Sequence, residues 1–122
     1  MEFLFNTIEV SDLEKSFEFY KNVIGLELAR RIKPQEGMEI IFLEDEKGHT
    51  VELLDYKEQK IEDKAGKSNI KMGFAVDDLD KTIKFLNKKG IDIIEGPVPI
   101  ENGRFVDITD PDGIKIGLYD FE

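Results

Sequence analysis

The 122-residue sequence predicts an α+β fold made of two copies of one βαβββ unit. Three observations carry that prediction. The phrase EVSDLEKSFEF at 9–19 returns as AVDDLDKTIKF at 75–85, with Val10/Val76, Asp12/Asp78, Leu13/Leu79, Lys15/Lys81 and Phe19/Phe85 identical at an offset of 66. A hairpin returns too, at an offset of 65, pairing Gly48/Gly113, Val51/Ile116, Leu53/Leu118, Asp55/Asp120 and Tyr56/Phe121. The polar, highly charged run KEQKIEDKAGKSN at 57–69 then separates the copies as a linker. Self-similarity at a fixed spacing marks a duplicated structural unit. The chain therefore reads as a single domain over 1–122, with one module at about 3–56 and a second at about 70–121.

Each element follows in order. FLFNTIEV at 3–10 is a strand with Phe5, Thr7 and Glu9 on one face. Ser11 and Glu14 have the spacing of a capping box, and Leu13, Phe17, Tyr20 and Ile24 follow at helical spacing to a stop at Gly25. LELARRI at 26–32 is a second strand, and a loop covers Pro34–Gly37. The segment 38–56 holds two strand-like runs around a turn at Glu44–Gly48, a hairpin. The second module repeats the order: a strand at 70–76, a helix over Leu79–Lys89 stopped by Gly90, and a strand at 91–96. A hairpin at 104–121 closes it, turning at Asp110-Pro111-Asp112-Gly113. One such module is a curved sheet with a helix on its outer side. Its inner face calls for a second module, from the same chain or another, and the resulting cup is a place for a small ligand.

Composition narrows the function. Apolar residues make up 40% and charged residues 36%, as in a water-soluble globular protein. No apolar run approaches the length of a membrane span, and MEFLFNTIEV lacks the basic region and cleavage-type small residues of a signal peptide. Cysteine is absent, which removes disulfides, thiolate metal sites and thiol nucleophiles. A cytoplasmic location is the expectation. The net charge of −10 would repel a phosphate backbone, so neither nucleic acid nor membrane is expected as a partner.

The strand followed by V-x-D-L-x-x-S-x-x-F-Y-x-x-x-[IL]-G-L at Val10–Leu26, with D-P-D-G before the last strand, resembles the vicinal oxygen chelate superfamily. That group includes glyoxalase I, bleomycin-resistance proteins and extradiol dioxygenases. The resemblance spans essentially the whole chain and implies the cup-shaped duplicated fold and a homodimer. It also implies metal ligands at repeat-related positions: one five residues before the valine of each helix phrase, and one four residues past each hairpin glycine. Carried over, these are Phe5, Lys71, Glu52 and Gly117. A divalent catalytic metal needs about three imidazole or carboxylate ligands, and Glu52 alone offers one.

The reading is therefore a protein like the metal-free bleomycin-resistance type, binding a small aromatic or cationic molecule, with no cofactor and no metal. Its ligand-binding residues would be Phe5, Thr7, Glu52, Lys71 and Tyr119, the two-residue spacings of Thr7 from Phe5 and Tyr119 from Gly117 placing them on inner faces. Glu52 and Lys71 are expected either as an ion pair in the metal's place or as separate charges at the mouth of the cup. Gly73 and Gly117 leave room, Phe42 and Phe105 either line the pocket or pack under the helices, with the core favoured, and Arg104 and His49 are expected at the surface. Two alternatives stay open: a glyoxalase-type lyase or isomerase with a displaced metal site, and a non-catalytic interaction or sensor module.

Overall fold

In the computed structural model, which describes residues 1–57 and 68–122, the repeat becomes two four-stranded sheets. The chain divides into two units, Met1–Asp63 and Lys64–Glu122, each carrying one sheet. The first contains β1 (Phe5–Glu9), α1 (Leu13–Glu18), β2 (Glu27–Gln35), β3 (Met38–Glu44) and β4 (Thr50–Tyr56) in the strand order β1-β4-β3-β2. The second contains β5 (Lys71–Ala75), α2 (Leu79–Lys88), β6 (Glu95–Ile100), β7 (Gly103–Thr109) and β8 (Lys115–Phe121) in the order β5-β8-β7-β6. Pairing is parallel for β1 with β4 and β5 with β8, and antiparallel elsewhere. This is the α+β architecture of duplicated βαβββ modules that the offsets predicted. Among the described residues no helix is long and apolar enough to cross a membrane.

The helix starts correct one expectation. Asp12, in extended conformation, is the N-cap of α1, and its carboxylate accepts the backbone N–H of Lys15 at 3.1 Å. Asp78 does the same for Lys81 at 3.1 Å. Ser11 is therefore not the cap, and Glu14 serves elsewhere: it pairs with Arg31. Both serine and aspartate cap well, so the choice falls to whichever residue immediately precedes the first helical turn.

The slip in offset from 66 to 65 also has a physical form. α1 and α2 begin 66 residues apart, at Leu13 and Leu79, but their glycine stops, Gly25 and Gly90, lie 65 apart. After Glu18 the first helix widens into a π-helix over Phe19–Ile24, and Gly25 donates to the carbonyl five residues back, at Tyr20 (3.1 Å). A π-turn accommodates one extra residue in a helical segment without moving its ends. Both glycines take φ values, +92° and +73°, that L side chains resist.

Two strands differ from expectation. β2 continues through Pro34 to Gln35, leaving only a tight turn before β3. β6 occupies Glu95–Ile100 rather than 91–96 and contains Pro97 and Pro99. Proline cannot donate to a ladder, and β6 tolerates two because it is an edge strand bonded to β7 alone.

Alternation along the strands separates the faces. On the helix side of the first sheet, Ile8, Ile41, Leu43, Val51 and Leu53 are buried together with Leu13, Phe19 and Tyr20. In the second, Val106, Ile108, Ile116 and Leu118 are buried with Leu79 and Leu86. Asp120, near the end of β8, accepts the Leu79 N–H at 2.9 Å and so ties the sheet to the start of α2. At the far end of the first sheet, Arg31 bridges Glu14 of α1 and buried Glu39 of β3 (2.6 Å to Glu39). Lys57 links the same Glu39 (3.4 Å) to Asp55 (3.0 Å). Hydrogen bonding from Arg31 holds the Glu39 carboxyl below the usual range against the opposing effect of burial.

Candidate functional site

The inner faces, opposite the helices, carry the chemistry. In the first unit one cross-strand row runs Thr7, Glu52, Phe42 and Arg30 over β1, β4, β3 and β2. Glu52 is 7% exposed, yet its polar partner is the Thr7 hydroxyl at a long 3.4 Å. The Arg30 guanidinium lies over the Phe42 ring, 4.5 Å from its centroid. Phe5 shares the Thr7 face and is 49% exposed. The structure thus brings Thr7 and Glu52 into contact, with Phe5 along the same strand. Phe42 departs from expectation: it stands on this inner face instead of beneath the helix, because its register partner is Glu52 and not Leu53.

In the second unit the corresponding row is Gly73, Gly117 and Asp107, over β5, β8 and β7. Lys71 reaches across this row. Its ammonium lies 2.7 Å from Asp107 Oδ1, 4.2 Å from the Phe105 centroid and 5.3 Å from that of Tyr119. A Cβ on Gly117 would fall 2.6 Å from Lys71 Cε, 2.6 Å from Tyr119 Cε1 and 3.2 Å from Asp107 Oδ1. Gly117 takes no positive φ, so the position needs glycine for space alone. Gly73 likewise faces the Tyr119 ring, at 3.3 Å. The expectation that these glycines leave room is met, and the protein's own lysine and tyrosine fill it.

The ion pair is a correction. Lys71 pairs with Asp107 of its own unit, where the sequence suggested Glu52. Asp107 is 2% exposed, and the 2.7 Å approach of the Lys71 ammonium to its Oδ1 is what compensates the burial of its charge. Burial disfavours the Lys71 charge, but the Asp107 carboxylate and then the Tyr119 side chain outweigh it, and the ammonium is held above the ordinary lysine value.

Beyond Lys71 the aromatic side chains form a ladder. Phe105 and Tyr119 stack at 5.1 Å, and Tyr119 and Phe121 at 5.8 Å with ring planes 10° apart. Phe105 therefore belongs to the inner face rather than the core. Arg104 makes a surface pair with Asp80 at 3.2 Å, and His49 is an exposed turn residue bonded to Asp45 at 2.7 Å. Sequence reasoning missed Asp107. It lies close to the acidic turn at 110–113 and reads as one more turn carboxylate until the hairpin register sets it opposite Gly117.

A family metal does not fit the positions that resemblance assigns to it. Phe5 and Gly117 carry no donor, Lys71 brings a cation, and Glu52 remains as a single carboxylate. Among the described residues no three His, Asp or Glu side chains cluster as a metal site would require.

Comparison with known proteins agrees with this architecture. The family model described as Glyoxalase/Bleomycin resistance protein/Dioxygenase superfamily matches residues 5–118. The chain is 30% identical over 121 residues to a lactoylglutathione lyase of Neisseria meningitidis, covering 95% of this chain and 88% of that protein. It is 33% identical over 118 residues to a probable chloroplastic lactoylglutathione lyase of Arabidopsis thaliana, covering 91% of this chain but spanning only 33% of that longer protein. Among solved structures, a glyoxalase family protein from Bacillus cereus superposes with a TM-score of 0.85 at 24% identity, over 99% of this chain and 94% of that one.

Proposed function

Because the chain belongs to the Glyoxalase/Bleomycin resistance protein/Dioxygenase superfamily, we propose that it is a binding member of that superfamily, taking a small aromatic or cationic molecule without a catalytic metal. One observation carries this reading. Lys71 passes over Gly117 to pair with Asp107, so a protein cation stands on the very face where resemblance would put a metal. The stacked rings of Phe105, Tyr119 and Phe121 offer a flat apolar surface beside it. The net charge of −10 favours encounter with a cation over an anionic conjugate. In this reading the protein acts as a homodimer in the cytoplasm. The exposed inner-face rings of Phe5 and Phe121 support a second copy.

Elemental analysis of protein purified without chelators tests the proposal, joined to a mass-spectrometric search for co-purified small molecules. The expected result is less than roughly a tenth of an equivalent of Ni, Zn, Co, Mn or Fe per chain. Stoichiometric metal that disappears in Glu52→Gln, with turnover of the methylglyoxal–glutathione hemithioacetal, overturns it. That outcome is the second reading, a lactoylglutathione lyase with a displaced metal site. It is favoured by the name of the Neisseria relative, which the chain resembles over nearly its full length.

A further inference from the structure

Each inner face holds one carboxylate that is more than nine-tenths buried: Glu52 in the first unit and Asp107 in the second. Their partners differ. Asp107 is neutralised by the Lys71 ammonium, which also rests on the faces of Phe105 and Tyr119. Glu52 has no ion-pair partner among the described residues and accepts only the distant Thr7 hydroxyl. The repeat explains the asymmetry. Lys71 corresponds to Phe5 at the offset of 66, and Gly117 corresponds to Glu52 at the offset of 65. The first unit therefore has an aromatic ring where the second has its internal cation.

We propose that Glu52 seats an external organic ammonium, one per chain, and that the carboxylate of the same face in the second unit, Asp107, which stands one strand over at the position of Phe42, is kept shut by Lys71. The second unit shows the chemistry such a seat accepts: an ammonium against one buried carboxylate, flanked by aromatic faces. The first unit presents a carboxylate without the ammonium: Glu52 with the Thr7 hydroxyl and the exposed Phe5 ring on the same sheet face, beside a Phe42 ring that already carries the Arg30 guanidinium on one side. A buried carboxylate is costly until a cation pairs with it. One carboxylate and one hydroxyl are too few donors for a divalent metal, whereas an ammonium carried on an apolar body gains from both the charge and the rings. Arg30 does not fill the role, since its guanidinium is held over Phe42 and forms no ion pair with Glu52. This inference rests on the metal-free binding reading and names its ligand class and its unit.

The test uses the full chain and phenethylamine, with 2-phenylethanol and phenylacetate as neutral and anionic counterparts of similar shape. Calorimetry should give one phenethylamine site per chain, and both counterparts should bind at least ~10-fold more weakly. Glu52→Gln, close to isosteric, should lose about 10-fold or more in amine affinity while keeping its circular dichroism spectrum. Lys71→Ala should raise the stoichiometry from one to two. If that variant is too unstable for titration, methylammonium should raise its melting temperature more than that of the wild type. Unchanged amine binding in Glu52→Gln, or equal affinity for 2-phenylethanol, overturns the proposal. So does a change in assembly mass on Glu52→Gln without a change in amine affinity, because a partner's lysine would then be the cation. Failure of the underlying reading looks different: bound metal and hemithioacetal turnover, whatever the amine does.

Discussion

Replacing Gly117 with alanine tests how the second inner face is built. The added methyl would sit 2.6 Å from Lys71 Cε and 2.6 Å from Tyr119 Cε1, well inside contact distance. Neither obstacle is backbone, so both side chains can shift, and the cost lies in what they abandon. Lys71 must withdraw from Asp107, leaving a carboxylate that is 2% exposed without its cation. Breaking a fully buried pair costs about 3–5 kcal/mol, and the partial exposure of Lys71 lowers that figure. Overpacking adds roughly 1–3 kcal/mol, part of which is the same displacement. We expect a net loss of about 2–4 kcal/mol, read as a shift in urea midpoint at unchanged slope. In a Lys71→Ala background the Tyr119 ring can move into the vacated space, and the same substitution should cost at most ~1.5 kcal/mol. If Gly117→Ala is neutral, or costs the same in both backgrounds, Lys71 does not cross the sheet at this residue.

Other outcomes can be checked alongside. Arg31 depresses the Glu39 carboxyl, so the stabilisation is full above the unfolded-state value of about 4.5 and is lost as pH falls through the lower folded value; Glu39→Gln should flatten the acid limb of a urea-midpoint profile. Lys71 titrates the other way: its folded value is raised, so its contribution is intact below about 10.5 and disappears only in more alkaline solution, a limb that Lys71→Met should remove. Asp12→Ala and Asp78→Ala should each lower stability by about 1 kcal/mol in equilibrium unfolding, the usual worth of an N-cap. Light scattering at micromolar concentration should give twice the 14.0 kDa chain mass, and a monomeric mass would count against the dimer.

The repeat was readable because the same contacts recur at a fixed spacing. Leu13 and Leu79 open both helices, and β3 and β7 keep the 65-residue offset at both ends. Local signals failed where two residues competed for one role. The S-x-x-E pattern pointed to Ser11, but the cap is Asp12, and Glu14 is engaged by Arg31 from another strand. The isoleucine-rich stretch Ile91–Ile94, interrupted by Asp92, looked more strand-like than EGPVPI, yet the edge position makes prolines acceptable in β6. At the site, parity identified the inner-face positions of Thr7 and Tyr119. The partner of Lys71 was hidden, because Asp107 lies 36 positions away and meets it only through strand order and the gap above Gly117.

That gap makes Lys71 a ligand on a leash. An external cation approaching Asp107 competes with an amine whose effective concentration is set by a four-carbon stem rather than by the medium. For a short flexible tether that concentration is at least on the order of millimolar. A free amine of comparable intrinsic affinity must exceed it before the second unit yields, so Asp107 stays shielded through ordinary fluctuations in solute level. Glu52, without such a competitor, would respond to free cation at its intrinsic affinity, and the two halves of one duplicated chain would answer the same molecule over different concentration ranges.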